Sequence, residues 1–214
     1  HHVHGIINVV SCALWSGATC QFIKRFDVEA VMDIFYQGKV NVFMSVPTIY
    51  YKLINHWETL SKAAQQTVFD KLKVFRLMIS GSAALPVSIM EQWKMISGQI
   101  LLERYGMTEI GMAISNSYHD LRLPGFIGKP LPGVEVRLLD DNGSEPLDGE
   151  TGEIQVKGAN VFKEYWNRKT ATKEAFTDDG WFITGDVAKK EKGNYKIVGR
   201  KSVDIIKSGG YKIS

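Results

Sequence analysis

Tyr105, Gly106, Met107, Thr108 and Glu109 stand together in the run LLERYGMTEIG, and Trp181-Phe182-Ile183-Thr184-Gly185-Asp186 and Gly199-Arg200 follow later in the chain. In that order they offer a flat aromatic face, a hydroxyl beside a carboxylate, a lone Asp after a Thr-Gly turn, and a guanidinium. A tyrosine at a strand end suits the face of a purine. Gly106 lets a backbone approach closely. Thr108 can donate to a phosphate oxygen, and Glu109 is a hard oxygen donor suited to Mg²⁺. Asp186 has acceptors enough for both hydroxyls of a vicinal diol, and Arg200 can reach a phosphate or a ribose. Singly, each has a plainer reading: a tight turn with a surface carboxylate, a turn-capping Asp, a solvated cation. In one order, they describe a mononucleotide with its metal.

Three other runs carry less. Ser80-Gly81-Ser82-Ala83, continuing to Pro86, is small and follows a strand, where a backbone lines a ligand or turns a corner; alone it reads as the corner. His2 and His4 would share one face of an extended strand, but no Cys, Asp or Glu is near in sequence to complete a zinc site. A histidine-tag remnant is the other reading, with the interposed Val3 against it. Ser208-Gly209-Gly210 reads as a flexible turn.

The elements that must position these groups change style along the chain. Val40 to Val46 reads as a strand broken by Pro47, which starts a helix with Ile49, Leu53 and Trp57 on one stripe and Tyr50 and Ile54 beside it. Residues 58–73 read as a polar surface helix with its connection, and Phe75 to Ile79 as a second strand. Pro86 opens a helix carrying Val87, Met90, Trp93 and Ile96 that stops near Gly98, and Ile100 to Glu103 is a third short strand. Such alternation predicts a largely parallel α/β layer. Beyond Gly125 to Gly133, Val134, Val136 and Leu138 alternate with Glu135, Arg137 and Leu139. Turn residues at Asp140 to Gly143 and Gly193-Asn194 separate further alternating runs, predicting antiparallel hairpins in a small barrel or twisted sheet. The expected divisions are 1–124 for the α/β part, 125–199 for the β-rich part with Asp186, and 200–214 for a hinge and the start of a further domain.

Composition is that of an ordinary globular chain: 214 residues, 44% hydrophobic, 23% charged and a net charge of +3. No basic block favours nucleic acid or a membrane surface, and no apolar run approaches a membrane span. Cys12 and Cys20 make neither a disulfide framework nor a metal cluster, which suits a reducing compartment. The start without Met and the end inside a loop read as the cut ends of an internal piece of a longer protein.

Together, HHVHG, VPTIY, SGSAALP, ERYGMTE, GKPLPGVEVR, GEIQVKG, YW, DGWFITGD, GR and KSGGYKI resemble, in family order, the adenylate-forming superfamily of acyl-CoA synthetases, luciferases and nonribosomal adenylation domains. Within it, ERYGMTE, FKEYW and GRKSVDIIKSGGYKIS look most like the malonyl-CoA synthetases. The resemblance implies an α/β fold, part of the family's large N-terminal domain, with a layered α/β subdomain followed by an antiparallel β-barrel-like one. It implies ATP, Mg²⁺ and coenzyme A acting on a small carboxylic acid. Tyr105 would stack on adenine, Ser80, Gly81, Ser82 and Ala83 would frame the purine, Gly106 and Met107 would belong to the ATP- and AMP-binding set, and Thr108 would contact the α-phosphate. Glu109 would hold Mg²⁺, Asp186 the ribose hydroxyls with help from Arg200, and Ile197 would pack near the base. His2 and Gly81 would sit at the acyl group, and Gly209 and Gly210 along the coenzyme A tunnel. The hinge would follow Arg200, where Lys201-Ser202-Val203-Asp204 is one residue longer than the common form.

Arg104 carries the substrate argument. Many relatives have Gly before this Tyr, lining the acyl pocket; an arginine would fill a fatty-acyl pocket and place a cation opposite the carboxyl being activated. A malonate or methylmalonate would meet it with its second carboxylate. A fatty acid would leave it unpaired, at a cost. The plainer reading pairs Arg104 with Glu103 or another acid, and Arg76 is a second, less discriminating candidate. A non-catalytic nucleotide-binding remnant, a fatty or aryl acyl-CoA ligase, and an adenylation domain loading a carrier protein stay open. The phosphate loop and the adenylation lysine are expected outside this segment, which alone would then turn over little. The resemblance implies a mitochondrial location, with the cytoplasm as alternative.

Overall fold

A computed structural model describes residues 3–201, 206–208 and 211–213. The chain divides into two compact units, one of residues 1–103 and 118–125, the other of residues 104–117 and 126–214.

In the first unit, local signals set most helix ends. A π-wound turn, His4–Ser11, runs on into α1 (Cys12–Trp15), so His4 begins a helix and not the strand expected. Helix α2 (Val28–Gln37) starts where the Asp27 carboxylate accepts from the Ala30 N–H at 2.8 Å and ends at Gly38 in the left-handed region. Strand β1 (Val42–Ser45) breaks at Pro47, which lies in the first turn of α3 (Pro47–Glu58). The buried stripe of α3 is Tyr50, Leu53 and Ile54, with Ile49 and Trp57 half-buried at its margin. Ser61 caps α4 (Lys62–Leu72), which buries Val68 and Leu72. Helix α5 (Val87–Ser97), between β2 (Leu77–Ser80) and β3 (Leu102–Met107), buries Met90, Trp93 and Ile96 and stops at Gly98.

Strands β1, β2 and the start of β3 are parallel neighbours, with Ser45 opposite Ser80 and Ser80 opposite Glu103. The aromatic centre of this core is tied by polar bonds: Tyr50 Oη donates to the Ile79 carbonyl at 2.7 Å, and its ring meets Trp93 edge-on at 5.0 Å. Each large apolar side chain fully buried here contributes about 1.5–3 kcal/mol before entropy is counted.

The second unit is antiparallel. The end of β3 pairs with β4 (Gly111–Ser115), and β4 with β5 (Lys129–Pro130). A separate four-stranded sheet runs in chain order through β6 (Val134–Leu139), β7 (Thr151–Gly158), β8 (Phe182–Glu191) and β9 (Asn194–Arg200). It is an open meander; among the described residues, no pairing of β6 with β9 closes a barrel. Lys192 and Gly193, both at positive φ, make the two-residue turn between β8 and β9, and the Asp148 carboxylate accepts the Lys192 N–H at 3.1 Å. Its core gathers Ile110, Ile114, Ile154, Val156, Phe182 and Tyr195. Helix α6 (Lys169–Glu174) lies between β7 and β8, and β10 (Ile206–Ser208) pairs antiparallel with β11 (Tyr211–Ile213). Among the described residues no helix is long and apolar enough to cross a membrane.

Candidate nucleotide site

The strand expected to end at Glu103 continues through Arg104-Tyr105-Gly106-Met107, because these residues find a partner in β4. Tyr105 is therefore within a strand, opposite Ile114, and not at its end. Arg104, half-buried and opposite Ser115, points to the other face of the pleat. Between Tyr105 and Gly106 the register slips by a bulge. Gly106 does permit a close approach, and what approaches is β4: a Cβ there would lie 2.0 Å from the Gly111 carbonyl oxygen and 2.4 Å from Met112 Cε. Thr108, exposed, and Glu109, half-buried, occupy the β3–β4 turn, which the Ile110 N–H closes onto the Met107 carbonyl at 3.2 Å.

Asp186 corrects a second expectation. The Thr184-Gly185 pair before it is a bulge inside β8 and not a turn between elements. Glu153 opposes Val187 and Gln155 opposes Ile183, so three residues of β8 face Ile154 alone. Gly185 takes the left-handed φ of +75° that the bulge requires, and Thr184 repairs the ladder. Its buried hydroxyl donates to the Ile154 carbonyl at 2.8 Å and accepts the Asp186 N–H at 3.1 Å.

The bulge aims Asp186 at two partners. Tyr105 Oη donates to Asp186 Oδ2 at 2.7 Å, and Arg200, paired with Asp186 in the β8–β9 ladder, brings Nε to 3.6 Å from Oδ1. The Asp186 side chain is only 16% exposed, against 50% for Arg200. Burial, and then the Asp186 charge, push the Tyr105 phenol well above the ordinary tyrosine range, so it stays a donor.

Glu109 is held by a different segment. Tyr165 Oη donates to Glu109 Oε1 at 3.0 Å, the Phe162 N–H donates to the Glu109 carbonyl at 2.7 Å, and Asn160 Nδ2 donates to the Ile110 carbonyl at 2.7 Å. Burial first, then the bond to Glu109, raise the Tyr165 phenol, while the nearby Arg200 charge acts against the rise at both tyrosines. Glu109, Tyr165, Arg200, Asp186 and Tyr105 thus form one charged cluster within the second unit.

Ile197, opposite Ala188, is half-buried against the core of the same unit. Met107 is half-buried beside the turn. Ser80, Gly81, Ser82, Ala83 and Arg76 belong to the first unit. There the Gly81 N–H donates to the Ser45 carbonyl, Ser82 sits at φ +67°, Ala83 is exposed, and the buried Ser80 hydroxyl has no hydrogen-bond partner among the described residues. Arg76 is exposed, with its N–H on the Asn41 carbonyl. His2, Gly209, Gly210 and the hinge residues after Lys201 lie outside the described residues. A surface pocket of about 220 Å³, lined by Val136, Leu147, Lys190 and Tyr195 among others, contains none of the expected site residues.

Tyr165, Asn160 and Thr184 were not singled out in the sequence. Tyr165 sits in the family-like YW run, and Thr184 immediately precedes Gly185, but no spacing joins residue 165 to residue 109.

This chain belongs to the AMP-binding enzyme family, whose profile matches residues 1–166. Among curated relatives, the mitochondrial malonate–CoA ligase ACSF3 of Xenopus laevis is 49% identical over 100% of this chain and 42% of its own length. Among the solved structures that cover 99% of this chain are ATP-bound MatB from Rhodopseudomonas palustris, at 38% identity, TM-score 0.87 and 40% of that chain, and a malonyl-CoA ligase ternary product complex with methylmalonyl-CoA and AMP, at 41% identity, TM-score 0.85 and 44% of that chain. The chain thus spans less than half the length of these relatives.

Proposed function

We propose that the protein is part of an AMP-forming acid–CoA ligase acting on malonate or methylmalonate. In the first half-reaction a carboxylate oxygen attacks the α-phosphorus of ATP and pyrophosphate leaves, forming acyl-AMP. In the second the coenzyme A thiol attacks the acyl carbon, its proton is lost, and AMP leaves with the bonding electrons. The observation that carries this reading is the pair of carboxylates, Asp186 and Glu109, each fixed by a tyrosine hydroxyl in one cluster with Arg200.

In this reading Asp186 uses its remaining lone pairs on the ribose hydroxyls, and the Tyr105 ring offers its face to adenine near Ile197. Thr108 donates to the α-phosphate. Glu109 fits Mg²⁺: among the described residues Oε2 accepts no hydrogen bond, and no group of three or more His, Cys, Asp or Glu side chains is gathered to cage a metal. A single carboxylate suits an ion that keeps waters and takes its other ligands from phosphates. When bound, Mg²⁺ neutralises charge on the phosphates. The family resemblance gives Ser80, Gly81, Ser82 and Ala83 a role toward the purine, His2 and Gly81 one toward the acyl group, and Gly209 and Gly210 one toward coenzyme A, with His2, Gly209 and Gly210 outside the described residues. Arg104 takes the second carboxylate of the acid, with Arg76 the lesser candidate. A mitochondrial location follows the name of the Xenopus relative.

The test is acid-dependent exchange of pyrophosphate into ATP by the protein at the length of its relatives, with malonate, methylmalonate, acetate and octanoate. Exchange with malonate that is lost in Arg104→Gly is expected. Exchange with octanoate or acetate alone would remove the role given to Arg104 and keep the ligase. Silence with every acid would refute the ligase reading.

A further inference from the structure

The segment from Asn160 to Tyr165 grips the Thr108–Ile110 turn at three points, two on backbone carbonyls and one on a side chain. The Phe162 N–H and the Asn160 amide already hold the Glu109 and Ile110 carbonyls, so the course of the turn is set without Tyr165. The Tyr165 hydroxyl adds something else: it fixes which way the Glu109 carboxylate faces. Tyr165 is itself anchored, since its N–H donates to Thr172 Oγ1 at 3.0 Å and its ring packs on Phe162 with centroids 4.6 Å apart. A rotatable carboxylate on a turn residue would otherwise lose two to three side-chain torsions each time it bound an ion, an entropic cost that a fixed donor removes in advance.

We infer that Tyr165 is the positioning residue for the metal-holding carboxylate, occupying Glu109 Oε1 so that Oε2 is presented to the Mg²⁺ that accompanies the nucleotide. This rests on the reading of Glu109 as the metal ligand. Hydrogen-bonding partners behind a metal ligand commonly govern metal affinity by about 10–100-fold.

The experiment uses the protein at the length of its relatives, as wild type, Tyr165→Phe, Glu109→Gln and the double variant. Mn²⁺ binding in the presence of a non-hydrolysable ATP analogue is followed by electron paramagnetic resonance, with metal-free binding of the analogue and the melting temperature measured alongside. Tyr165→Phe is expected to weaken Mn²⁺ binding about 10-fold. Metal-free analogue binding should stay at its wild-type value, any fall in melting should be small because the Phe162 and Asn160 bonds still hold the turn, and the double variant should bind Mn²⁺ no more weakly than Glu109→Gln. Wild-type Mn²⁺ affinity in Tyr165→Phe, with Glu109→Gln impaired, would overturn the positioning role and leave the Glu109 reading standing. A fall in melting temperature together with equal weakening of metal-free binding would make Tyr165 merely structural and also overturn it. Unchanged Mn²⁺ affinity in Glu109→Gln would remove the ligand reading and the inference with it.

Discussion

Tyr105→Phe is the sharpest probe of the cluster, because it deletes one oxygen and keeps the ring. That oxygen donates at 2.7 Å to a carboxylate whose side chain is 16% exposed. Hydrogen bonds to charged groups contribute about 1.5–3 kcal/mol. Arg200 remains 3.6 Å from the other Asp186 oxygen and steadies the charge, so the lower end, about 1.5 kcal/mol, is expected. With two compact units, one global unfolding free energy is not well defined, so the assay is hydrogen exchange of β8 and β9 amides, which reports opening of the second unit. Tyr105→Phe should lower their opening free energy by that amount. In an Asp186→Ala background the same substitution should cost about 0.5 kcal/mol or less, since the acceptor is gone. Equal costs in both backgrounds would refute the coupling. The pH dependence has a definite sign. The Tyr105 phenol is raised in the folded chain, by burial first and by Asp186 second, so its contribution is complete below the ordinary tyrosine value of about 10. Above it the unfolded chain releases a proton that the folded chain keeps, and stability falls with rising pH. Tyr105→Phe lacks that loss, so wild type and variant should converge above pH about 10.

Two glycines should separate by mechanism. Gly106→Ala must displace the Gly111 carbonyl and Met112 and is expected to cost about 3 kcal/mol, at the upper end for overpacking. Gly185→Ala enters open space and meets only the left-handed strain of about 1–2 kcal/mol, so exchange in the second unit should rank it the milder; the reverse order would contradict the bulge geometry. On the surface, the bond from Arg137, aided by Thr177, lowers the Asp179 carboxyl from 3.8 to about 2. Its stabilisation is present above pH 3.8 and is lost as pH falls through about 2, so Arg137→Ala should raise the Asp179 midpoint in a carboxyl NMR titration, and an unmoved midpoint would rule out that ion pair in solution.

Much of the first unit is legible because its signals are local. Pro47 opens a helix and Gly98 closes one, each by backbone chemistry confined to a few residues. Asp27 and Gly38 bracket α2 in the same way and could have been used to place it. The face a helix buries depends on its neighbours, which is why Tyr50 rather than Ile49 faces inward, drawn to the Ile79 carbonyl. Tyr105 and Asp186 could be singled out as chemistry, but their local conformations could not. Thr-Gly serves a turn and a bulge equally well, and only the facing Ile154 decides. Tyr165 was legible only as part of the YW run, and its partner was not legible at all, because that partner is set by the path of the chain between them, which no spacing encodes.

The bonds that define the cluster join residues far apart in the chain, with separations of 81 for Tyr105 and Asp186 and 56 for Tyr165 and Glu109. Closing loops of that length costs entropy before any contact repays it, so such bonds form late as the chain folds. Thr108 and Glu109 are synthesised well before Tyr165 and Asp186, and on a growing chain the turn must wait for the strands that hold it. In the proposed reading, a chain able to bind the nucleotide at this cluster has already closed both of these long loops.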